Sequence, residues 1–381
     1  MTRRVALQPI RLLILSIGSL AAQNVVQALA SRRDRVFVIG ANSIADAAGN
    51  FLADVAYVVP PARSEAAYAA SVERLIAEEK PDLVIPARDD DILVLARMKE
   101  RLGPEPVLLV GSLAAAEIMD DKKKTAEFAA RHGLPFAPTA DALTQARQLG
   151  AAHGFPLIGK PRSGNGARGV IILRSEAELE RAFARRPDLV VQPFFDLPPD
   201  GTELLADFDA GLPFFYSFPE SAQYVTQMII GPDGAGSEIC ATRNIQIHGQ
   251  SVVNERIHDR ELIALAEKYG EAIKREGWIG PVQVQAKRTA DGAFVVFEMN
   301  GRFNGATAAC TLLGLDELAI VIRSFLPGVP FPDRSRETAR LVQKAPSSYP
   351  LPSAALEELK RTGRWERGRQ TRSDSSAFVR W

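Results

Sequence analysis

The sequence predicts an α/β domain built on a doubly wound parallel sheet, followed by an α+β region of antiparallel strands with covering helices. Three observations carry that expectation. Short apolar runs alternate with helical patterns from residue 11 to residue 110, the order of a parallel sheet with crossover helices. Residues 155–173 set a glycine-rich loop between two apolar runs, the pattern of a hairpin. Residues 281–298 hold two further apolar runs joined through Asp291-Gly292, a turn dipeptide.

At 381 residues the chain exceeds one small core, and two or three domains are expected. Boundaries are expected after residues 112 and 329, with 330–381 as a C-terminal extension. Hydrophobic residues make up 46% and charged residues 24%, an ordinary balance for a globular protein. Lys+Arg and Asp+Glu both number 46, so bulk charge gives no case for nucleic acid or an acidic membrane as a partner. Any phosphate site must be built locally. Cys240 and Cys310 lie far apart and in no metal-like spacing, which fits a reducing compartment. Four histidines argue against a histidine-based metal site. Arg3-Arg4 ahead of Leu12-Leu13-Ile14-Leu15 imitates a short signal peptide. The run breaks at Ser16 and Gly18 and passes into a helical pattern, so a buried strand followed by a helix accounts for it better. No stretch approaches the ~20 apolar residues of a membrane span. The expectation is a cytoplasmic protein without a membrane segment.

In chain order, strands are expected at 11–16, 35–40, 55–59, 83–86 and 107–110, with helices from Gly18-Ser19 to about Ser31, over 64–79 and after Arg88. Only Gly18 stands where a Gly-x-Gly-x-x-Gly turn needs three glycines, which rejects a nicotinamide enzyme; the turn can still touch a substrate. Asp89-Asp90-Asp91 follows the C-terminal end of a strand, where α/β sheets place ligands. A solvated helix N-terminus is the other reading, and the preferred one. Asp120-Asp121-Lys122-Lys123-Lys124-Thr125 opens a helix ending near His132-Gly133. Three lysines in a first turn oppose the helix dipole, so either one reaches a bound anion or the turn is a solvated basic surface.

The hairpin at 155–173 carries Lys160 on its first strand. It is no Walker loop, because Gly-x-x-x-x-Gly-Lys-Ser/Thr is absent. Its glycines let backbone N–H groups approach phosphate oxygens, and Lys160 and Arg168 supply charge. An ordinary flexible hairpin is the alternative, but it would not need a lysine on an apolar strand. A strand at 189–195 runs into a proline-rich turn, 201–205 resumes extended structure, and 214–243 reads as antiparallel strands and loops. Residues 259–276 form an amphipathic helix (Leu262, Leu265, Ala266, Tyr269, Ile273) ended by Gly277. Strands follow at 281–287, with Gln283 and Gln285 on one face, and at 293–298. A helix over 307–325 covers the sheet. Residues 330–381 are rich in Arg, Ser and Pro, with an amphipathic piece at 354–360 and a frayed end.

The chemistry concentrates in Phe297-Glu298-Met299-Asn300-Gly301-Arg302-Phe303-Asn304-Gly305. Glu298 and Asn300 are two apart and share a strand face, and Arg302 continues the alternation if the strand persists. An acid, an amide and a guanidinium beside a core are unfavourable unless divalent cations and a phosphate share the space before them. Mg²⁺ takes carboxylate and amide oxygens, and Arg suits a phosphoryl group. A strand end with a surface ion pair is the alternative.

With Lys122, Lys160 and the hairpin, Glu203, and Gln285…Glu298-x-Asn300-x-Arg302 in this order, the chain resembles the ATP-grasp superfamily. Within it the similarity is greatest to carboxylate–amine ligases and the synthetase halves of carbamoyl-phosphate synthetase. It spans about residues 10–328 and is most specific at Lys160–Gly169 and Glu298–Gly305. The resemblance implies a pre-ATP-grasp α/β domain (1–112), then a two-lobed ATP-grasp fold: a small lobe with the hairpin (113–195) and a metal and substrate lobe (196–329). It also implies ATP and two Mg²⁺ ions, with Mn²⁺ as a substitute. By it, Lys122 and Lys160 contact phosphates, and Ser163, Gly164, Gly166, Arg168 and Gly169 fold over them. The strand end with Gln192, Phe194 and Phe195 holds adenine through backbone groups and aliphatic packing, and Glu203 accepts the ribose hydroxyls. Gln285, Glu298 and Asn300 hold the metals, and Arg302 acts with Lys160 as a catalytic cation. Asn304, Thr307 and Arg243 are expected at the substrate, Arg243 as carboxylate anchor or else as an exposed strand residue.

Two departures stand out. Pro193 replaces a frequent Glu, leaving Gln192 as a side-chain acceptor for adenine, and Gly301 replaces the usual Pro of Asn-Pro-Arg, which loosens that backbone. The implied activity is an ATP-dependent ligase that activates a carboxylate as an acyl phosphate and joins it to an amine, with amino acids as substrates. The alternatives are carbamate or carboxylate phosphorylation with another acceptor, and a nucleotide-binding module without turnover. A homodimer is implied by the resemblance alone.

Overall fold

The computed structural model describes residues 8–164, 166–195, 205, 222–332, 339–345 and 347–368. The first sheet holds β1 (Ile10–Ile14), β2 (Val36–Asn42), β3 (Val55–Val58), β4 (Leu83–Ile85) and β5 (Val107–Leu108), joined through α1 (Leu20–Leu29), α2 (Glu65–Glu79) and α3 (Asp89–Leu102). The order β3-β2-β1-β4-β5 is parallel throughout. Leu12, Leu13 and Ile14 are fully buried because a central parallel strand is covered on both faces. Strand order reverses between β1 and β4, so a crevice opens at their C-terminal ends, beside Ser16 and Arg88.

Next come α4 (Leu113–Asp120) and α5 (Lys122–Arg131). Asp121 caps α5, accepting from the N–H groups of Lys123 and Lys124 at 2.9 and 3.5 Å. The three-lysine turn is thereby resolved. Lys123 pairs with Asp141 at 2.5 Å and Lys124 with Glu117 at 2.6 Å, while Lys122 is buried. A small layer follows: α6 (Leu143–His153), β6 (Leu157–Pro161), β7 (Ile171–Leu173), α7 (Glu176–Arg185) and β8 (Leu189–Pro193). Its antiparallel sheet runs β7-β6-β8 over a core that includes Leu157, Leu173, Leu179 and Leu189.

The third sheet is antiparallel and built from β9 (Gln223–Ile230), β10 (Cys240–Ile247), β11 (Gln250–Ile257), β12 (Gly280–Arg288) and β13 (Phe294–Asn300). Between β11 and β12, α8 (Arg260–Arg275) buries Leu262, Leu265, Ala266, Tyr269 and Ile273, the stripe its spacing predicts. The helix expected over 307–325 is broken into α9 (Thr307–Leu312) and α10 (Glu317–Phe325). Gly314, at φ +103°, turns the chain between them, and Asp316 caps the second helix. The same aspartate pairs with Arg32, which follows α1, so the break is tied to the first-sheet region.

Residues beyond 330 rejoin both large sheets. β14 (Leu341–Gln343) pairs with β11, and after α11 (Ser353–Thr362), β15 (Arg364–Glu366) pairs antiparallel with β3. The strand expected from 201, the start of the stretch expected from 214, and the frayed end lie outside the described residues, save Leu205. Among the described residues no helix is long and apolar enough to cross a membrane.

Candidate active site

A cavity of about 580 Å³ lies where the first-sheet crevice, the β6–β7 hairpin and the strands β9, β10, β12 and β13 come together. Arg88, Lys122, Lys160, Arg168, Lys287, Arg302 and Lys344 line it, and Glu298 is the one acid among its described lining residues. A chain of zero net charge has thus collected local positive charge in one cleft, as a polyanion site requires.

The metal-ligand candidates meet across one ladder. In the β12–β13 pairing Gln285 stands opposite Glu298 and Gln283 opposite Asn300, and all four side chains line the cavity. Gln283 Oε1 accepts from Gln285 Nε2 at 3.0 Å and from Asn300 Nδ2 at 3.2 Å. One N–H of each flanking amide is so engaged, which orients both amides and leaves their oxygens to act beside the Glu298 carboxylate. One carboxylate with two amide oxygens fits a hard cation such as Mg²⁺ that draws its remaining ligands from substrate phosphates. Among the described residues no group of three His, Cys, Asp or Glu could hold a metal by itself. A bulge shifts the register past Gln285, so Phe297 also faces the cavity, and Lys160 Nζ sits 4.5 Å from its ring centroid.

Lys122 Nζ lies 3.8 Å from Glu298 Oε1 and donates to the Gly164 carbonyl at 3.3 Å. Lys160 is buried and donates to Gln192 Oε1 at 2.9 Å. Gln192 also lines the cavity; its side-chain oxygen is engaged by Lys160 and its Nε2 by Thr139 at 3.0 Å, so its side chain orients the lysine. Gly164, Gly166, Arg168, Phe194 and Phe195 line the cavity, whereas Ser163 and Gly169 do not. Ser163 Oγ donates to Asp120 at 2.6 Å and the Gly169 carbonyl accepts from Arg186 at 2.5 Å, so both anchor the base of the loop. Gly249, in the β10–β11 turn at φ +70°, meets the loop tip; a Cβ there would lie 2.6 Å from that of Ala167. Glu203 lies outside the described residues.

β13 ends at Asn300, so the alternation does not carry Arg302. Arg302 instead reaches the start of α3, where Nε and Nη2 donate to the two oxygens of Asp89 at 2.8 and 3.1 Å. Burial opposes the Arg302 charge, and the Asp89 carboxylate outweighs that, holding the guanidinium above its usual range. The solvated reading of the acidic cluster is therefore overturned for Asp89 and Asp91, both buried. Asp91 accepts from Ser16 Oγ at 3.0 Å, Tyr68 Oη at 2.6 Å and Arg88 N at 3.0 Å; only Asp90 is exposed. Gly301 is closely packed. A Cβ there would lie 2.4 Å from the ring of buried Trp278, so the indole occupies the space a side chain would need.

Of the substrate candidates, Asn304 lines the cavity. Thr307 is buried beneath it, its hydroxyl accepting from Asn304 N at 3.2 Å. Arg243 does not line the cavity; it is exposed and pairs with Glu255 at 3.5 Å, on the face opposite Asn244. Sequence reasoning missed Gln223, Asn244 and Gln246 as lining residues, although polar residues at alternate positions of β10 were a usable signal. It also missed Lys344, which burial lowers to about 8 and whose Nζ donates to the Gly305 carbonyl.

No family model matches the sequence. Over 90 residues it is 34% identical to pyruvate carboxylase of Bacillus subtilis, covering 22% of this chain and 8% of that protein. Over 215 residues it is 26% identical to the formate-dependent phosphoribosylglycinamide formyltransferase of Stutzerimonas stutzeri, covering 54% and 52%. The matches thus span about half or less of these curated relatives. Among solved structures, the biotin carboxylase domain of Hydrogenobacter thermophilus 2-oxoglutarate carboxylase, with MgADP, ADP and bicarbonate, superposes at TM-score 0.61. Its identity is 19%, with 88% of this chain and 73% of that one covered. An N5-carboxyaminoimidazole ribonucleotide synthetase in complex with ADP gives 0.60, at 15% identity and coverage of 85% and 78%. L-amino acid ligase from Bacillus licheniformis gives 0.61, at 15% identity and coverage of 84% and 75%.

Proposed function

We propose that this chain, which has the ATP-grasp fold, is an ATP-dependent ligase that activates a carboxylate as an acyl phosphate and joins it to an amine, with amino acids as substrates. The observation that carries this reading is the convergence of Lys122, Lys160, the glycine-rich loop, Gln285, Glu298, Asn300 and Arg302 on one cavity. A substrate carboxylate oxygen attacks the γ-phosphorus of ATP, the bond to ADP breaks, and an acyl phosphate forms. The amine then attacks the acyl carbon, the C–N bond forms, phosphate leaves, and the amine proton passes to solvent. Lys122 and Lys160 orient the phosphates, and the hairpin excludes water from them. Arg302, its Nε edge engaged by Asp89, presents its other edge to the transferring phosphoryl group. Mg²⁺ held by Gln285, Glu298 and Asn300, as one ion or two, would neutralise charge on the phosphate oxygens.

The test is ADP release from ATP with a panel of amino acids, singly and in pairs, and with bicarbonate, since bicarbonate accompanies one structural neighbour. Amino-acid-dependent ADP release and an amide product by mass support the reading. Lys160→Ala and Arg302→Ala abolish both. Release with bicarbonate alone favours a carboxylating ligase, and ATP binding without stimulation by any member of the panel refutes turnover.

A further inference from the structure

Beneath Asn304 lies a polar cluster that the ligase chemistry does not use. Gln227 of β9, Thr307 of α9 and Glu317 of α10 are 0%, 0% and 1% exposed, beside the buried Cys240 and Cys310. Its hydrogen-bond directions are forced from one end. The backbone N–H of Ala306, a donor that cannot be turned over, lies 2.6 Å from Asn304 Oδ1. Asn304 therefore aims Nδ2 at Gln227, 2.8 Å away, and Gln227 accepts with Oε1 while its Nε2 faces Cys310 Sγ at 2.8 Å. The Oε1 end of the Gln227 amide, the end that meets Asn304, lies 3.1 Å from both carboxyl oxygens of Glu317. Turning Gln227 over would give Glu317 a donor but set N–H groups against Asn304 Nδ2. Turning Asn304 as well would set its N–H groups against Ala306 N–H. One arrangement satisfies all four groups: a Glu317 that carries a proton.

The electrostatics agree. Burial pushes Glu317 up to about 7, neighbouring Asp316 adds to this, and the Thr307 hydroxyl opposes it. Among the described residues, the titratable groups around Glu317 are Asp316, itself paired with Arg32, and Cys310, with Cys240 and Lys344 next to that thiol.

We propose that Glu317 is a positioning residue that donates its carboxyl proton to Gln227 Oε1 and thereby fixes the amide of Asn304, leaving one N–H and one oxygen lone pair of Asn304 for the cavity. A donor beside an acceptor matches a ligand that carries both, such as the carboxylate and ammonium of an α-amino acid. The identity of that ligand rests on the ligase reading above; the direction of the hydrogen bonds does not.

Two measurements test this. The first uses ADP release with the most stimulating amino acid. Between about pH 6 and about pH 8.5, wild-type kcat/KM for the amino acid falls roughly tenfold through a rise in its KM, with the KM for ATP unchanged. Glu317→Gln donates at every pH and removes the inflection; Glu317→Ala is low throughout. An inflection that survives in Glu317→Gln overturns the proposal. The second needs no substrate and stands even if the Glu317 variants fold poorly. The side-chain amide NMR signal of Asn304 in the wild-type protein, assigned by its loss in Asn304→Ser, shifts with a midpoint at about 7. A signal that does not titrate overturns the proposal even where ligase activity is found. A titrating signal without amino-acid-dependent ADP release upholds the positioning role and removes the ligase reading.

Discussion

Replacing Glu317 with glutamine alters stability by an amount that depends on pH. Burial raises this carboxyl from 4.5 to about 7 in the folded chain. Between those values the folded state holds a proton that the unfolded state has released, so stability falls as pH rises. Below about 4.5 both states are protonated and the contribution is fully present; above about 7 both are ionised and it is lost. At about 1.4 kcal/mol per pH unit the loss comes to about 3 kcal/mol. Glutamine is neutral at every pH and keeps a donor for Gln227, so the variant lacks this slope. Urea unfolding of both proteins is the assay. The variant should differ from wild type by under about 1 kcal/mol near pH 5 and be more stable by up to about 3 kcal/mol near pH 8. Subtracting the two proteins removes every other titrating group common to both. A difference that is the same at the two pH values would mean a carboxyl ionised throughout, and would refute the assigned direction of the Gln227 and Asn304 amides with it.

Three further substitutions have definite outcomes. Asp89→Ala leaves the Arg302 guanidinium buried without its carboxylate and should destabilise the fold by about 3–5 kcal/mol in denaturant titrations, with Arg302→Met in the same chain recovering most of it. Gln283→Leu releases the amides of Gln285 and Asn300. The Mg²⁺ concentration needed for half-maximal binding of a fluorescent ATP analogue should rise about 10–100-fold, and an unchanged value rejects the orienting role. Gly301→Ala drives a methyl group into the Trp278 ring and should cost about 1–3 kcal/mol by urea unfolding, reduced when Trp278→Phe is added.

Much of the frame was legible because its signals are local. The alternation of apolar runs and helical patterns up to residue 110 gave the parallel sheet, since a strand covered on both faces must be apolar along its length. The hairpin with Lys160 and the ladder with Gln285, Glu298 and Asn300 were readable from two-residue spacing and turn residues. The first turn of α5 announced itself by a local conflict, three lysines against a dipole, and the structure sends Lys122 alone of the three into the cavity. Arg243 shows the limit of that logic. Its type suited a carboxylate, but strand parity, set by register with β9 and β11, turns it to the outer face while Asn244 faces in.

Residue types and short spacings along the chain therefore marked out the groups suited to phosphate and metal chemistry, and the kind of element each would ride on. Folding chose the partners. Arg302 meets Asp89 across 213 positions, Lys160 finds Gln192, Lys344 arrives from the end of the chain, and Glu317 comes to lie under Asn304. A backbone period describes one element at a time, whereas the protonation of a buried acid or the hold on a guanidinium depends on desolvation and on a neighbour within about 3 Å, and these exist only once distant segments pack.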